Sequence, residues 1–134
     1  MIKFLDTKYV RFELEDDLLT GHYKKDLRIN LEIAEAVVKA RLEFTEYKPV
    51  LALAINEGVV SMNKEARDFL ASDEGVKCVI AGAVVNANNP VAVFFVNFYL
   101  AVARPKVPAR MFTTKEAAIK WLKKFRKAEV VENS

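Results

Sequence analysis

Few residues in this sequence have the types or spacing that chemistry requires. There is one histidine, His22, in "LLTGHYKK", and one cysteine, Cys78. A metal site or a histidine-based triad would need partners brought to His22 from elsewhere. No HxxxH, CxxC or GxSxG spacing supplies them. His22 therefore reads as a surface or strand-edge histidine. A lone cysteine excludes an internal disulfide and a multi-cysteine metal site, and Cys78 reads as a small core residue. The glycines Gly21, Gly58, Gly75 and Gly82 belong to neither GxGxxG nor GxxxxGK[ST], so the backbone cradle for nucleotide phosphates is missing. Asp16 and Asp17 share a polar turn, where water keeps both ionised. A glycosidase pair instead needs two carboxylates facing across a cleft. The expectation is a protein without catalytic residues, metal or cofactor.

What remains is a set of polar groups at strand ends and one turn. Asn56 and Glu57 follow one apolar run; Asn86, Asn88 and Asn89 follow the next. Ligands of open α/β sheets gather beyond the carboxyl ends of the strands, so these side chains are candidates for a partner or ligand surface. The competing reading is that they satisfy turn and cap backbone groups. The stretch "EGVVSMNKEARDFL" adds Ser61, Asn63 and Lys64. Ser61 reads as a cap or turn hydroxyl; a phosphate there would sit favourably near a helix N-terminus.

The elements around these residues follow from periodicity. "KYVRFELE" alternates, with Val10, Phe12 and Leu14 on one face, and "LLTGHYKK" returns after the "EDD" turn as the second strand of a hairpin. Asn30 caps a helix over "LEIAEAVVKARLEF", with Ile33, Val37, Ala40 and Phe44 inward beside Ala34, Val38 and Leu42. "VLALAI" and "VKCVIAGAVV" read as strands buried on both faces. Between them Asn63 caps a short helix that Gly75 closes in a left-handed conformation. "NNPVAVFFVNFYLAVARPKVP" reads as a third helix with Pro90 in its first turn. "ARMF" is a short strand. "TTKEAAIKWLKKFRK" is a helix whose start fits a capping box, Thr113 with Glu116. Residues 128–134 read as a frayed tail. The order ββαβαβαβα predicts one α/β domain over residues 1–134: a mixed, mostly parallel sheet with an N-terminal β-hairpin and flanking helices.

Charge and hydropathy narrow the partners. Residues 1–75 carry 11 basic and 15 acidic side chains, and residues 76–134 carry 10 and 3. Nucleic-acid binding would draw on Arg104, Lys106, Arg110 and the lysines of the last helix, but no recognised nucleic-acid motif accompanies them, so nucleic acid is not expected. No run is long enough for a membrane-spanning helix and the start shows no signal peptide; a cytoplasmic protein is expected. The third helix is apolar nearly all round. Its Phe94, Phe95, Phe98 and Tyr99 are candidates for a homodimer face or for contact with a lipid or membrane surface.

The strand–turn–helix "VLALAINEGVVSMNKEARDFL" resembles the core of STAS domains and their SpoIIAA-like relatives. "ARMFTTKEAAIKWL" resembles the closing strand and helix of the same group. The element order agrees over residues 7 to 127. In the anti-sigma-factor antagonists of that group a buried strand leads to Asp-Ser-Ser-Gly-Leu at a helix start. Alignment puts Asn63 at the aspartate, Lys64 at the phosphorylatable serine, and Glu65 and Ala66 at the next serine and glycine. Lysine has no hydroxyl, so the serine switch is absent at that position. The resemblance implies a non-enzymatic protein-interaction or regulatory module. The alternative is a carrier or sensor of a lipid or other small apolar ligand.

Overall fold

A computed structural model of the chain describes residues 2–56, 59–86 and 105–133, with side chains described as far as Arg126. Among the described residues, eight strands and three helices run in the order β1 (Ile2–Asp6), β2 (Val10–Glu15), β3 (Leu18–Tyr23), β4 (Leu27–Ile29), α1 (Leu31–Phe44), β5 (Val50–Asn56), β6 (Val59–Met62), α2 (Lys64–Leu70), β7 (Val79–Val85), β8 (Ala109–Phe112) and α3 (Lys115–Asn133). Six strands make one sheet in the order β1-β2-β3-β5-β7-β8. The first three are antiparallel, and β3, β5, β7 and β8 run parallel. The expected mixed, mostly parallel sheet with an N-terminal hairpin is present.

Three short strands escape the sequence reading. β1 adds an outer antiparallel strand, and β4 and β6 pair in parallel as a separate ribbon beside α1 and α2. Each of β4 and β6 has four residues or fewer, too few for period-two alternation to register. The β2–β3 hairpin turns at Asp16, whose φ of 54° suits the twist of a two-residue loop.

Period two divides the sheet into two faces. Leu51, Leu53, Ala81, Ala83 and Val85 point one way and pack with Ala118 and Leu122 of α3. Val10, Phe12, Leu19 and Val50 point the other way and pack with Val37 of α1. Leu27, Ile29, Ala34 and Ala66 join the ribbon to α1 and α2. At the far end of α3, Arg126 grips Asp17 with Nε, 2.9 Å from Oδ2, and with Nη2. That tie fixes α3 against the β2–β3 turn.

Several local expectations are corrected. Gly75 does not have positive φ; α2 ends at Leu70 and its C-cap is Ala71, which is right-handed. The reason for glycine at 75 is close approach to the α2 backbone. Cys78 is not a core strand residue. It precedes β7 with a φ of 64°, and its Sγ donates to the Tyr47 carbonyl at 3.3 Å. His22 is not at a surface or sheet edge: β3 is the third strand in, and the His22 side chain is 14% exposed with Nε2 3.5 Å from Glu13 Oε1. The α3 cap is Thr114, one residue later than expected. Its Oγ1 accepts from the Ala117 N–H at 3.2 Å, which takes Glu116 out of capping-box register. The backbone of α3 stays helical to Asn133, through most of the stretch read as a tail.

Candidate functional site

Among the described residues, the two central strands are fully closed on one face only. Leu51 and Leu53 of β5 are 0% and 2% exposed, and Ala81 and Ala83 of β7 are 0% and 2% exposed. Their neighbours in sequence, Ala52, Ala54, Gly82 and Val84, remain half-buried. The expectation that both strands are buried on both faces is met in full on the α3 side, and on the α1 side the strand residues are half-buried. There the floor is made of residues too small to reach the helices, and a cavity of about 450 Å³ opens above it. That volume is within the usual range for small-molecule sites.

Each wall has a local cause. Val37, Val38 and Arg41 of α1 form one side, Leu70 and Ala71 at the end of α2 another, and residues 105–107 approach the mouth near the start of β8. A methyl group at Gly82 would meet no atom within 4 Å, so the space above it is open. Gly21 on the same floor is different: a methyl there would lie 3.3 Å from Val10 Cγ2 and 3.4 Å from Phe12 Cε1. Glycine at 82 makes room, whereas glycine at 21 lets the β2 side chains pack.

One charged side chain sits deep in this wall. Arg41 is 7% exposed. Its Nη1 donates to the Lys77 carbonyl at 2.9 Å and its Nη2 to the Gly75 carbonyl at 3.2 Å. These bonds tie the end of α1 to the α2–β7 connection. Burial pushes the Arg41 guanidinium below its usual value, partly offset by the nearby Tyr23 phenol and Cys78 thiol. Tyr23, which also lines the cavity, has its phenol pushed above its usual value by burial, with Arg41 pulling the other way.

The Tyr23 shift has a checkable sign. A phenol whose pKa is higher in the folded chain contributes stability that is fully present below its unfolded value of about 10 and is lost as pH rises through the folded value. Urea midpoints measured from pH 8 to 11.5 should fall more steeply above about pH 10 for the wild-type chain than for Tyr23→Phe. Parallel curves would mean that Tyr23 titrates as it does in the unfolded chain.

The residues singled out from sequence lie elsewhere. Asn56 Oδ1 accepts from the Val59 N–H at 2.8 Å and shapes the β5–β6 turn. Asn63 caps α2, accepting from the Ala66 N–H at 2.9 Å, while its own N–H donates to the Ile29 carbonyl. Lys64 is exposed and pairs with Asp68 at 2.8 Å, a contact that raises its pKa first by hydrogen bonding and then by charge. Ser61 is exposed on β6. Asn86 follows β7 and bonds through its backbone to Phe112. None of these five lines the cavity. Glu57, Asn88 and Asn89 lie outside the described residues, as do Phe94, Phe95, Phe98 and Tyr99. Among the described residues no group of three His, Cys, Asp or Glu could hold a metal ion, and no helix is long and apolar enough to cross a membrane.

Arg41 is the residue that sequence reasoning missed. The signal was its place on the α1 stripe: Ala34, Val37, Val38 and Arg41 follow the i, i+3, i+4, i+7 spacing of the buried face. A cation in that position breaks the apolar pattern.

Comparison with known proteins fits this architecture. The chain is similar to an uncharacterised protein from Shewanella loihica PV-4, of the DUF3478 family, described as having a SpoIIAA-like fold. The two share 14% sequence identity and a TM-score of 0.50 over 91% of this chain and 92% of that one. This likeness establishes the SpoIIAA-like fold. No curated protein matches the sequence. A family pattern matches residues 12–126, and the chain belongs to that family, a domain of unknown function designated DUF7793.

Proposed function

We propose that this chain is a non-enzymatic, cytoplasmic carrier or sensor of a small apolar molecule, held in the cavity between the sheet and helices α1 and α2. The observation that carries this reading is the half-buried floor of Ala52, Ala54 and Gly82 beneath an apolar wall. Small residues in the middle of a sheet give up packing contacts, and a ligand of matching shape would restore them.

The test uses Gly82→Leu. A leucine there projects into open space and removes the conformational freedom of glycine in a strand. The melting temperature should stay level or rise. Affinity for 1-dodecanol, followed by displacement of a fluorescent apolar probe, should fall roughly tenfold or more as the space is filled. Native mass spectrometry should find an apolar molecule with the wild-type chain and none with the variant. If the wild-type chain binds no alcohol and Gly82→Leu lowers stability, the reading fails.

A second reading, a protein-interaction module without the serine switch, is supported by the exposed start of α2. Lys64, with its side chain 80% exposed, stands there behind the Asn63 cap.

A further inference from the structure

Resting on the cavity reading above, we propose that Arg41 is an anion-binding end of the cavity, and that the ligand is an amphipathic anion: an apolar body with a carboxylate or phosphate head. The inference starts from an imbalance of charge. Arg41 is more than nine-tenths buried, yet among the described residues no carboxylate pairs with it. Its two hydrogen bonds go to the neutral carbonyls of Gly75 and Lys77. A buried cation without a counter-ion is costly.

The rest of the lining agrees. Among the described residues that line the cavity, every charged one is basic and none is Asp or Glu. Arg110 is set aside, because its guanidinium turns over the Phe112 ring on the other face of the sheet. Lys106 already pairs with Asp73 at 3.1 Å, and Arg67 Nη1 donates to the Met62 carbonyl at 2.9 Å. Arg67 is exposed, so water solvates its charge; among the described residues Arg41 is thus the buried cation left within the wall without a partner charge. A guanidinium has five N–H donors in a planar fork that matches a carboxylate or a phosphate. Two are engaged with carbonyls; the other three have no protein acceptor among the described residues. Tyr23 lines the same cavity as Arg41, and its hydroxyl can donate to the same head group. Beyond the guanidinium the lining is apolar and suits an alkyl body.

The experiment compares three probes of equal chain length on the full chain: dodecanoate, dodecyl phosphate and 1-dodecanol. Wild-type protein should bind at least one of the anions about tenfold or more tightly than the alcohol, the scale of a charge-assisted hydrogen-bonded pair. Whichever anion is preferred identifies the head group. Arg41→Gln should abolish the preference, so that anions and alcohol bind the variant within about threefold of one another, and Arg41→Lys should keep part of it. Equal binding of alcohol and anions by the wild-type chain overturns the role of Arg41 and leaves the apolar cavity standing. A preference that persists in Arg41→Gln also overturns it. Failure of all three probes to bind removes the cavity reading itself. Should Arg41→Gln not fold, the comparison of probes on wild-type and Arg41→Lys protein decides.

Discussion

Gly75→Ala should be the most damaging single-methyl substitution in this protein, lowering the free energy of unfolding by at least about 3 kcal/mol, at or beyond the upper end of overpacking effects. The cause is a backbone collision. A methyl group at residue 75 would sit 2.2 Å from the Phe69 carbonyl oxygen and 2.7 Å from both Leu70 Cα and the Leu70 carbonyl oxygen. A flexible side chain could move aside, but a helix backbone cannot without breaking its own hydrogen bonds. The connection from α2 to β7 must therefore shift. It carries the Gly75 and Lys77 carbonyls that hold Arg41, so the damage reaches the cavity as well as α2. Urea denaturation checks the stability loss. Ser72→Ala is a useful comparison, because it removes only the hydroxyl, which accepts from the Gly75 N–H at 3.2 Å and donates to the Phe69 carbonyl, and should cost about 1–2 kcal/mol. Equal midpoints for wild-type and Gly75→Ala would mean that the α2–β7 connection has slack.

Gly75 also marks how far the sequence could be read. A glycine a few residues after a helix invites a left-handed cap, and only the approach of two backbones reveals the other cause. The hairpin, α1 and the parallel strands were legible because each alternates or repeats over enough residues for its period to emerge. Asn30 and Asn63 were legible as caps because their role is local: each accepts from an N–H three residues on. β4 and β6 were not, since they are held by pairing with each other, a contact between segments some 30 residues apart in sequence. The same limit explains the site. Asn56 and Asn86 stand out as polar residues at strand ends, but the cavity is built from alanines, a glycine and a helix-borne arginine on the middle of a sheet face. Alanine and glycine in a strand look like ordinary core until the helices above them are placed. Cys78 was misread for a related reason: it adjoins an apolar run, yet its backbone is left-handed.

Leu122→Ala should lower stability by about 4 kcal/mol, toward the upper part of the range for such truncations. Leu122 is 0% exposed and belongs to the cluster that joins α3 to β5 and β7. Three members of that cluster, Ala81, Ala83 and Ala118, are alanines, which cannot swing into a vacated space. The hole would stay largely open, and the cost of a large-to-small change grows with the cavity that remains. Trp121 next to it should matter less per atom removed, because it is only partly buried, in a surface row with Phe112 and Phe125 at centroid distances of 5.7 and 4.8 Å. Leu122 also separates the two faces of the sheet. It acts on the α3 face, whereas the floor of the cavity belongs to the α1 face. At urea concentrations below its transition, Leu122→Ala should bind dodecanoate with wild-type affinity despite its lower midpoint. Gly82→Leu should do the reverse, keeping its midpoint and losing the ligand. If Leu122→Ala lost affinity in proportion to its stability, the faces would be mechanically coupled and the cavity would depend on how α3 is seated.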